Sequence, residues 1–139
     1  MKKKFSTTWK ASKQPRKQRK YRAKAPLHIK RKLLSVNLSK ELRKKYGKRN
    51  LVIRKGDSVL IKKGKFKGSK GKILEVKTRF EKIYVDGMNV KKSDGSKVNV
   101  PLKASNLQII ELNLDDGRRL GKKTIKERAE SKNKEEKIK

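Results

Sequence analysis

A segment rich in glycine and lysine, residues 56–76, carries the clearest chemical signal in this sequence. Gly64, Gly68 and Gly71 lie between two apolar runs. Glycine allows a positive φ and places no side chain between the backbone and an approaching phosphate group. Cationic side chains and one aromatic ring surround these glycines: Lys62, Lys63, Lys65, Phe66, Lys67, Lys70 and Lys72. We therefore predict a loop that contacts phosphates of a polyanion through Gly68, Gly71 and these side chains.

This segment has two other interpretations. A P-loop for nucleotide hydrolysis requires Gly-Lys-Ser or Gly-Lys-Thr at a fixed spacing and a helix after the loop. The segment has neither tripeptide at that spacing, and the apolar pattern after Gly71 has the period of a strand. The simpler alternative is a tight hairpin whose lysines are only solvated. We favour backbone contact with a nucleic acid over both.

The first 32 residues form a strongly basic segment. They hold ten lysines and four arginines, and the first carboxylate of the chain belongs to Glu41. Apolar residues are too sparse here to offset the entropy of ordering the backbone. Pro15 and Pro26 exclude any long helix. We therefore expect an extended arm that is disordered in the free protein.

Aromatic residues are interleaved with the charges of this arm. Aromatic rings can stack on unpaired bases while Lys and Arg side chains follow the phosphates. Twelve residues of the arm are predicted to contact RNA: Trp9, Lys13, Arg16, Lys17, Arg19, Lys20, Tyr21, Arg22, Lys24, His28, Arg31 and Lys32. The alternative for Trp9 and Tyr21 is that they are scattered hydrophobic residues of a flexible tail. For His28 it is local packing against the following domain.

Composition narrows the class of protein. The chain has 45 basic and 13 acidic residues among 139, a formal net charge of +32 that requires a polyanion for neutralisation. A membrane is the competing partner, but the apolar runs are too short to cross one, and no signal peptide is evident. With no cysteine and one histidine, the sequence offers no thiolate, no Cys- or His-rich metal site and no catalytic triad. We expect a cytoplasmic protein that is not an enzyme, with no cofactor, no small-molecule substrate and no membrane insertion.

The pattern of elements predicts a small β-rich domain. Ser39 is a suitable N-cap and Gly47 a suitable terminator for a short helix over 39–46. Short apolar runs separated by Gly and Asp-Gly pairs then predict five strands, at 58–62, 72–77, 82–85, 97–100 and 107–112. So many short strands in so few residues favour a strongly bent antiparallel barrel.

We divide the chain into four parts on this basis. They are a basic RNA-binding arm (1–37), a short helix with its connector (38–50), the barrel (51–113) and a charged C-terminal tail (114–139). For the tail, a solvated helix with pairs such as Glu130 and Lys134 is one interpretation and disorder is the other.

The glycine loop with its flanking strands resembles the KOW motif found in SH3-like barrels of ribosomal proteins and of NusG-type transcription elongation factors. The flanking segments resemble the archaeal and eukaryotic branch of universal large-subunit ribosomal protein twenty-four, numbered twenty-six in eukaryotes. These segments are residues 14–20, residues 25–28 with 31–32, the stretch that runs from 38–43 to 54–57, and residues 85–89 and 105–107. The resemblance extends from residue 14 to residue 116, and the joint occurrence of these motifs is more specific than the loop alone.

This resemblance implies an all-β, SH3-like small barrel with a KOW motif, preceded by a basic extended arm and a short helix. It further implies a protein that binds large-subunit ribosomal RNA, supports early subunit assembly, and lies among neighbouring ribosomal proteins near the peptide exit tunnel. A NusG-like factor would carry a separate α/β domain before the motif, for which the first fifty residues are unsuited. A chromatin-type DNA compactor fits the charge of the chain but not the flanking motifs.

Overall fold

The computed structural model describes residues 5–120. Three α-helices lie in the first part of this range: α1 (Pro15–Lys24), α2 (Leu27–Leu33) and α3 (Lys40–Tyr46). The strands are β1 (Ser35–Leu38), β2 (Asn50–Val52), β3 (Ser58–Ile61), β4 (Lys70–Lys77), β5 (Lys82–Val85), β6 (Asn89–Lys91), β7 (Lys97–Asn99) and β8 (Leu107–Glu111). Short 3-10 turns occur at Thr7–Ala11, Thr78–Phe80 and Ala104–Asn106. The predicted β-rich character of a small domain is thereby confirmed.

Six of the strands form one sheet, in the order β2-β1-β8-β3-β4-β5. The edge strands β2 and β5 do not pair with each other, and β6 and β7 form a separate hairpin. The pairing of β1 with β8 is parallel, whereas the other pairings are antiparallel. The sheet of the described residues is therefore open and mixed, unlike the antiparallel barrel that we expected. The parallel pairing comes from β1, which lies outside the predicted barrel segment and inserts between β2 and β8.

The core forms where apolar residues alternate with polar ones along the strands. In β3 the side chains of Val59 and Ile61 are buried, and in β5 those of Ile83 and Val85 are buried. The registers of β3 with β8 and of β4 with β5 each shift once. Such β-bulges bend a strand, so they curve the sheet around these side chains.

Helix α3 forms as predicted. The Ser39 hydroxyl accepts a hydrogen bond from the Leu42 N–H, and Gly47 ends the helix in the left-handed conformation with φ 60°. Leu38 and Tyr46 are buried and Leu42 packs against the core. The apolar side of the helix therefore faces the domain.

The N-terminal region, described from residue 5 to residue 33, holds two helices, and the prediction of an extended arm is wrong in this respect. Pro15 occupies the first turn of α1, where no N–H is needed for helix hydrogen bonds. α1 ends at Lys24 because Ala25 precedes Pro26 and takes an extended conformation, with ψ 135°. α2 then begins directly after Pro26. The prolines thus set the boundaries of two short helices and do not prevent them.

The five predicted strands are all present, with boundaries shifted by no more than two residues. β1, β2 and β6 were not predicted, although residues 34–38 alternate apolar and polar side chains in the manner of a strand. Because β1 and β2 join the sheet, it takes in residues on both sides of the boundaries that we placed at 37 and 50. The proposed tail helix with Glu130 and Lys134 lies outside the described residues.

Candidate nucleic-acid interface

The glycine loop, defined as residues 62–69, joins β3 to β4. It is closed at its base by two hydrogen bonds: the Ile61 N–H donates to the Ser69 carbonyl (2.9 Å) and the Gly68 N–H to the Ile61 carbonyl (2.9 Å). Gly64 and Gly68 have φ values of 100° and 90°. A Cβ atom at either glycine would meet no other atom within 4 Å. Both glycines therefore leave open backbone, as required for close approach by a phosphate.

Gly71 has a different structural role from the other two glycines. Its φ is not positive, and a Cβ there would lie 2.7 Å from the Asp86 carbonyl oxygen and 2.7 Å from a Val85 methyl group. The absence of a side chain thus allows β4 to pass close to the end of β5. This packing accounts for Gly71 without any ligand.

The side chains predicted around the loop fall into two groups. The lysines are exposed, at positions 62, 63, 65, 67, 70 and 72. Phe66 is half-buried and packs against the hydrophobic core. Phe66 therefore holds the loop against the domain, while the lysines surround the open backbone with positive charge.

The aromatic residues of the N-terminal region pack on α1. The rings of Phe5 and Tyr21 have centroids 5.0 Å apart, and Tyr21 is buried. Its ring is therefore covered and not open for base stacking, contrary to our expectation. Trp9 is 46% exposed, with the Lys17 ammonium 4.0 Å from the centre of its ring. The Gln18 side chain also ties α1 to the preceding segment, because its amide donates to the carbonyls of Lys10 (3.1 Å) and Ser12 (2.6 Å).

Helix α1 presents cations around most of its surface. The exposed ones in and just before the helix are Lys13, Arg16, Arg19, Lys20, Arg22 and Lys24, and Lys17 is half-buried beside Trp9. Arg16, Lys20 and Lys24 follow one another at spacings of four residues, so like charges lie one above the other. Such pairs destabilise an isolated helix. α1 is therefore suited to a surrounding that supplies negative charge.

The basic cleft, the second cationic feature, lies between α2 and the segments 51–54 and 118–119, with a volume of about 740 Å³. Predicted RNA contacts and residues that we had not predicted line it together: Leu27, His28, Arg31, Lys32, Leu51, Val52, Arg54, Thr78, Arg118 and Arg119. His28, Arg31 and Lys32 are exposed, so His28 is not packed into the domain. The fold thus brings cations from three distant segments into one site.

A buried ion pair holds the wall of the basic cleft in place. Asp57 is fully buried, and each of its carboxylate oxygens accepts a hydrogen bond of 2.5 Å from the Arg119 guanidinium. The backbone N–H groups of Arg54 and Asn113 also donate to this carboxylate, at 2.9 and 3.0 Å. Arg119 further donates to the carbonyl of Val52 at 3.2 Å. This network fastens the chain after β8 to the turn between β2 and β3.

A second ion pair lies nearer the surface. The Arg54 guanidinium contacts the Asp116 carboxylate at 2.5 Å, and both side chains are about one third exposed. The hydrogen bond from Arg54 is the main cause of a pKa of Asp116 below its ordinary value, and the N–H of Arg118 adds to the effect. Asp116 is therefore ionised near neutral pH, where it neutralises one cation of the basic cleft.

Arg54, Arg118 and Thr78 were missed by sequence reasoning because each lies far along the chain from α2. Arg54 belongs to the motif at 54–57, but nothing local indicated a partner at 116. Among residues 5–120, no three His, Asp or Glu side chains lie together in a way that could hold a metal ion. No helix within the same range is long and apolar enough to cross a membrane.

A small β-rich domain with an open glycine loop, a cationic helix and a basic cleft defines a class of protein suited to a polyanionic surface. The family model for eukaryotic ribosomal protein L26 and its archaeal counterpart, numbered twenty-four, matches residues 12–128. Large ribosomal subunit protein uL24 of Methanosphaera stadtmanae is 46% identical over 108 residues, which cover 78% of this chain and 92% of that protein. The chain belongs to this family of ribosomal proteins, and the resemblance seen in the sequence motifs is confirmed.

Proposed function

We propose that this protein is a structural constituent of the large ribosomal subunit that binds large-subunit ribosomal RNA. Membership of the ribosomal protein family carries the proposal, because 46% identity over most of both chains leaves little room for a different role. The positive charge of the described surface agrees with it. A role in early subunit assembly, a position near the peptide exit tunnel and contacts with neighbouring ribosomal proteins follow from the family resemblance, and we include them in the proposal.

The proposed binding mode has two parts. The β-rich domain, which we regard as an SH3-like KOW domain, holds RNA through the glycine loop and its exposed lysines. The N-terminal region holds a second stretch of RNA through α1 and the basic cleft. We further propose that residues 1–24, the part of the predicted arm that precedes α2, gain order on ribosomal RNA, because like charges repel along α1 until phosphates neutralise them.

Most of the affinity in this mode comes from counterion release. Each phosphate neutralised by Lys or Arg releases condensed ions, and affinity therefore falls steeply with salt. Discrimination among RNAs comes from shape and from unpaired bases, since side chains cannot read the deep, narrow major groove of an RNA helix. A protein of this kind needs neither cofactor nor small-molecule substrate, and we propose that it is not an enzyme.

The direct test is to crosslink the protein to RNA in growing cells and to sequence the bound fragments. The expected result is a strong enrichment of large-subunit ribosomal RNA, with fragments clustered at a few sites. Sedimentation of the same cells should place the protein in the large subunit. Fragments drawn mainly from messenger RNA or DNA would overturn the proposal. Affinities for structured RNA and for duplex DNA, measured at equal salt, distinguish an RNA-binding protein from a DNA compactor.

A further inference from the structure

The basic cleft combines positive charge with an apolar wall. Leu27 is one of its lining residues and is 62% exposed. Leu51 and Val52 add further apolar surface to the lining. A site that took only phosphate would need no apolar surface. The combination indicates a ligand that has an anionic part and a flat apolar part.

Part of the charge in the basic cleft is already neutralised within the protein. Arg54 is paired with Asp116, and Arg119 is paired with the buried Asp57. Arg31 and Arg118 are both exposed, and neither guanidinium lies within 4 Å of a carboxylate in the described part of the chain, although the charge of Arg118 helps to lower the pKa of Asp116. These two guanidinium groups, which lie on separate segments, are therefore available to an incoming anion.

The walls of the basic cleft are fastened before any ligand binds. The Lys30 ammonium on α2 donates to the Arg79 carbonyl at 3.2 Å, which ties the helix to the turn between β4 and β5. On the other wall, Arg119 is held by Asp57 and by the Val52 carbonyl. A preformed cleft loses less conformational entropy on binding than a flexible one. Its volume of about 740 Å³ lies in the range of sites for small organic groups.

We propose that the basic cleft holds one unpaired nucleotide of the bound RNA, with its phosphate on Arg31 and Arg118 and its base or ribose against Leu27. The inference rests on the proposed function, because it assumes an RNA partner. It adds a specific site and a specific ligand: a single nucleotide turned out of its stack. An intact RNA helix could place phosphates at the rim, but its bases would remain paired and could not reach the apolar wall.

The test compares two probes, a single-stranded oligouridylate and a blunt RNA duplex of the same length, with the full-length protein. The double variant Arg31→Gln, Arg118→Gln should weaken oligouridylate binding by roughly a hundredfold, about tenfold for each charged contact, and duplex binding far less. The matched control is Lys97→Gln, Lys103→Gln, which removes two exposed cations outside the basic cleft. It should weaken both probes to a similar and smaller extent.

The apolar wall is tested by a neutral change. Leu27→Asn alters no charge and affects a side chain that is mostly exposed, so the fold should be retained. It should weaken oligouridylate binding several-fold while the slope of log affinity against log salt stays the same. The duplex should bind as it does to the unchanged protein.

A third variant increases the free positive charge of the basic cleft. Asp116→Asn frees Arg54 in the basic cleft and should tighten oligouridylate binding. The slope of log affinity against log salt should steepen by the amount expected for about one more phosphate contact. The control Glu111→Gln removes the same charge from β8, at a residue that does not line the cleft. It should have a smaller effect.

The proposal is overturned if the cleft variants weaken the two probes equally, or if Leu27→Asn leaves oligouridylate binding unchanged. Either result would make the basic cleft an unspecific cationic surface. This failure differs from failure of the proposed function, which would appear as absence of the unchanged protein from large subunits in cells.

Discussion

The buried ion pair between Asp57 and Arg119 should be the most sensitive point of the domain. Arg119→Met keeps much of the side-chain volume but removes two of the four hydrogen bonds to the Asp57 carboxylate. The remaining donors are backbone N–H groups, which cannot neutralise the charge. Removing one partner of a buried pair costs about 3–5 kcal/mol, because the other is left charged without compensation.

This cost translates into a large shift of the melting temperature. The entropy of unfolding is about 2.1 cal/mol/K per residue, so a domain of the described length loses about 4 °C for each kcal/mol. Arg119→Met should therefore lower Tm by about 12–20 °C, measured by circular dichroism or calorimetry. The matched control is Arg54→Met, which breaks a pair whose side chains are about one third exposed. Such pairs contribute about 0.2–1 kcal/mol, so Tm should fall by no more than about 4 °C.

A double-mutant cycle separates the ion pair from other effects of these substitutions. Asp57→Asn alone leaves the Arg119 guanidinium buried without its carboxylate and should cost about as much as Arg119→Met. The double variant should cost clearly less than both single changes added together, since no unpaired charge remains. If Arg119→Met melted within a few degrees of Arg54→Met, or if the two costs were additive, the ion pair would not fasten the chain after β8 to the domain.

Three further predictions concern the glycines and the N-terminal region. Gly71→Ala should lower stability by about 1–3 kcal/mol, since its Cβ would meet the Asp86 carbonyl just beyond β5. A thermal melt compares it with Gly117→Ala, whose Cβ meets nothing within 4 Å. Gly68→Val should weaken RNA binding more than Lys67→Ala in titrations, with the sheet retained by circular dichroism; equal affinity for both variants would make the glycine loop only a turn. Deleting residues 1–24 removes eleven cations, and if about half of them meet phosphates, the slope of log affinity against log salt should flatten by about 4 to 5. An unchanged slope would exclude the N-terminal region as a main RNA contact.

Local features of the fold could be predicted from the sequence because they depend on nearby residues. Ser39 and Gly47 determine where α3 begins and ends, and alternation of apolar residues places β3 and β5. The same local reasoning failed for the N-terminal region. Sparse apolar residues indicated an extended arm, whereas the 3-10 turn at Thr7–Ala11 folds back on α1, so that Phe5 covers Tyr21. That contact joins residues too far apart for a local pattern to reveal.

The sequence by itself determined the charge of this protein, the glycines of its loop and the motifs that indicate its family. Only the tertiary structure decided which side chains share a site. Asp57 and Arg119 are 62 positions apart, and Arg54 is equally far from Asp116. Arg31 and Arg118 both line the basic cleft, although they lie far apart along the chain. Composition and periodicity report on neighbours along the chain, whereas these contacts depend on the order of strands in the sheet, which brings the chain after β8 beside the turn between β2 and β3.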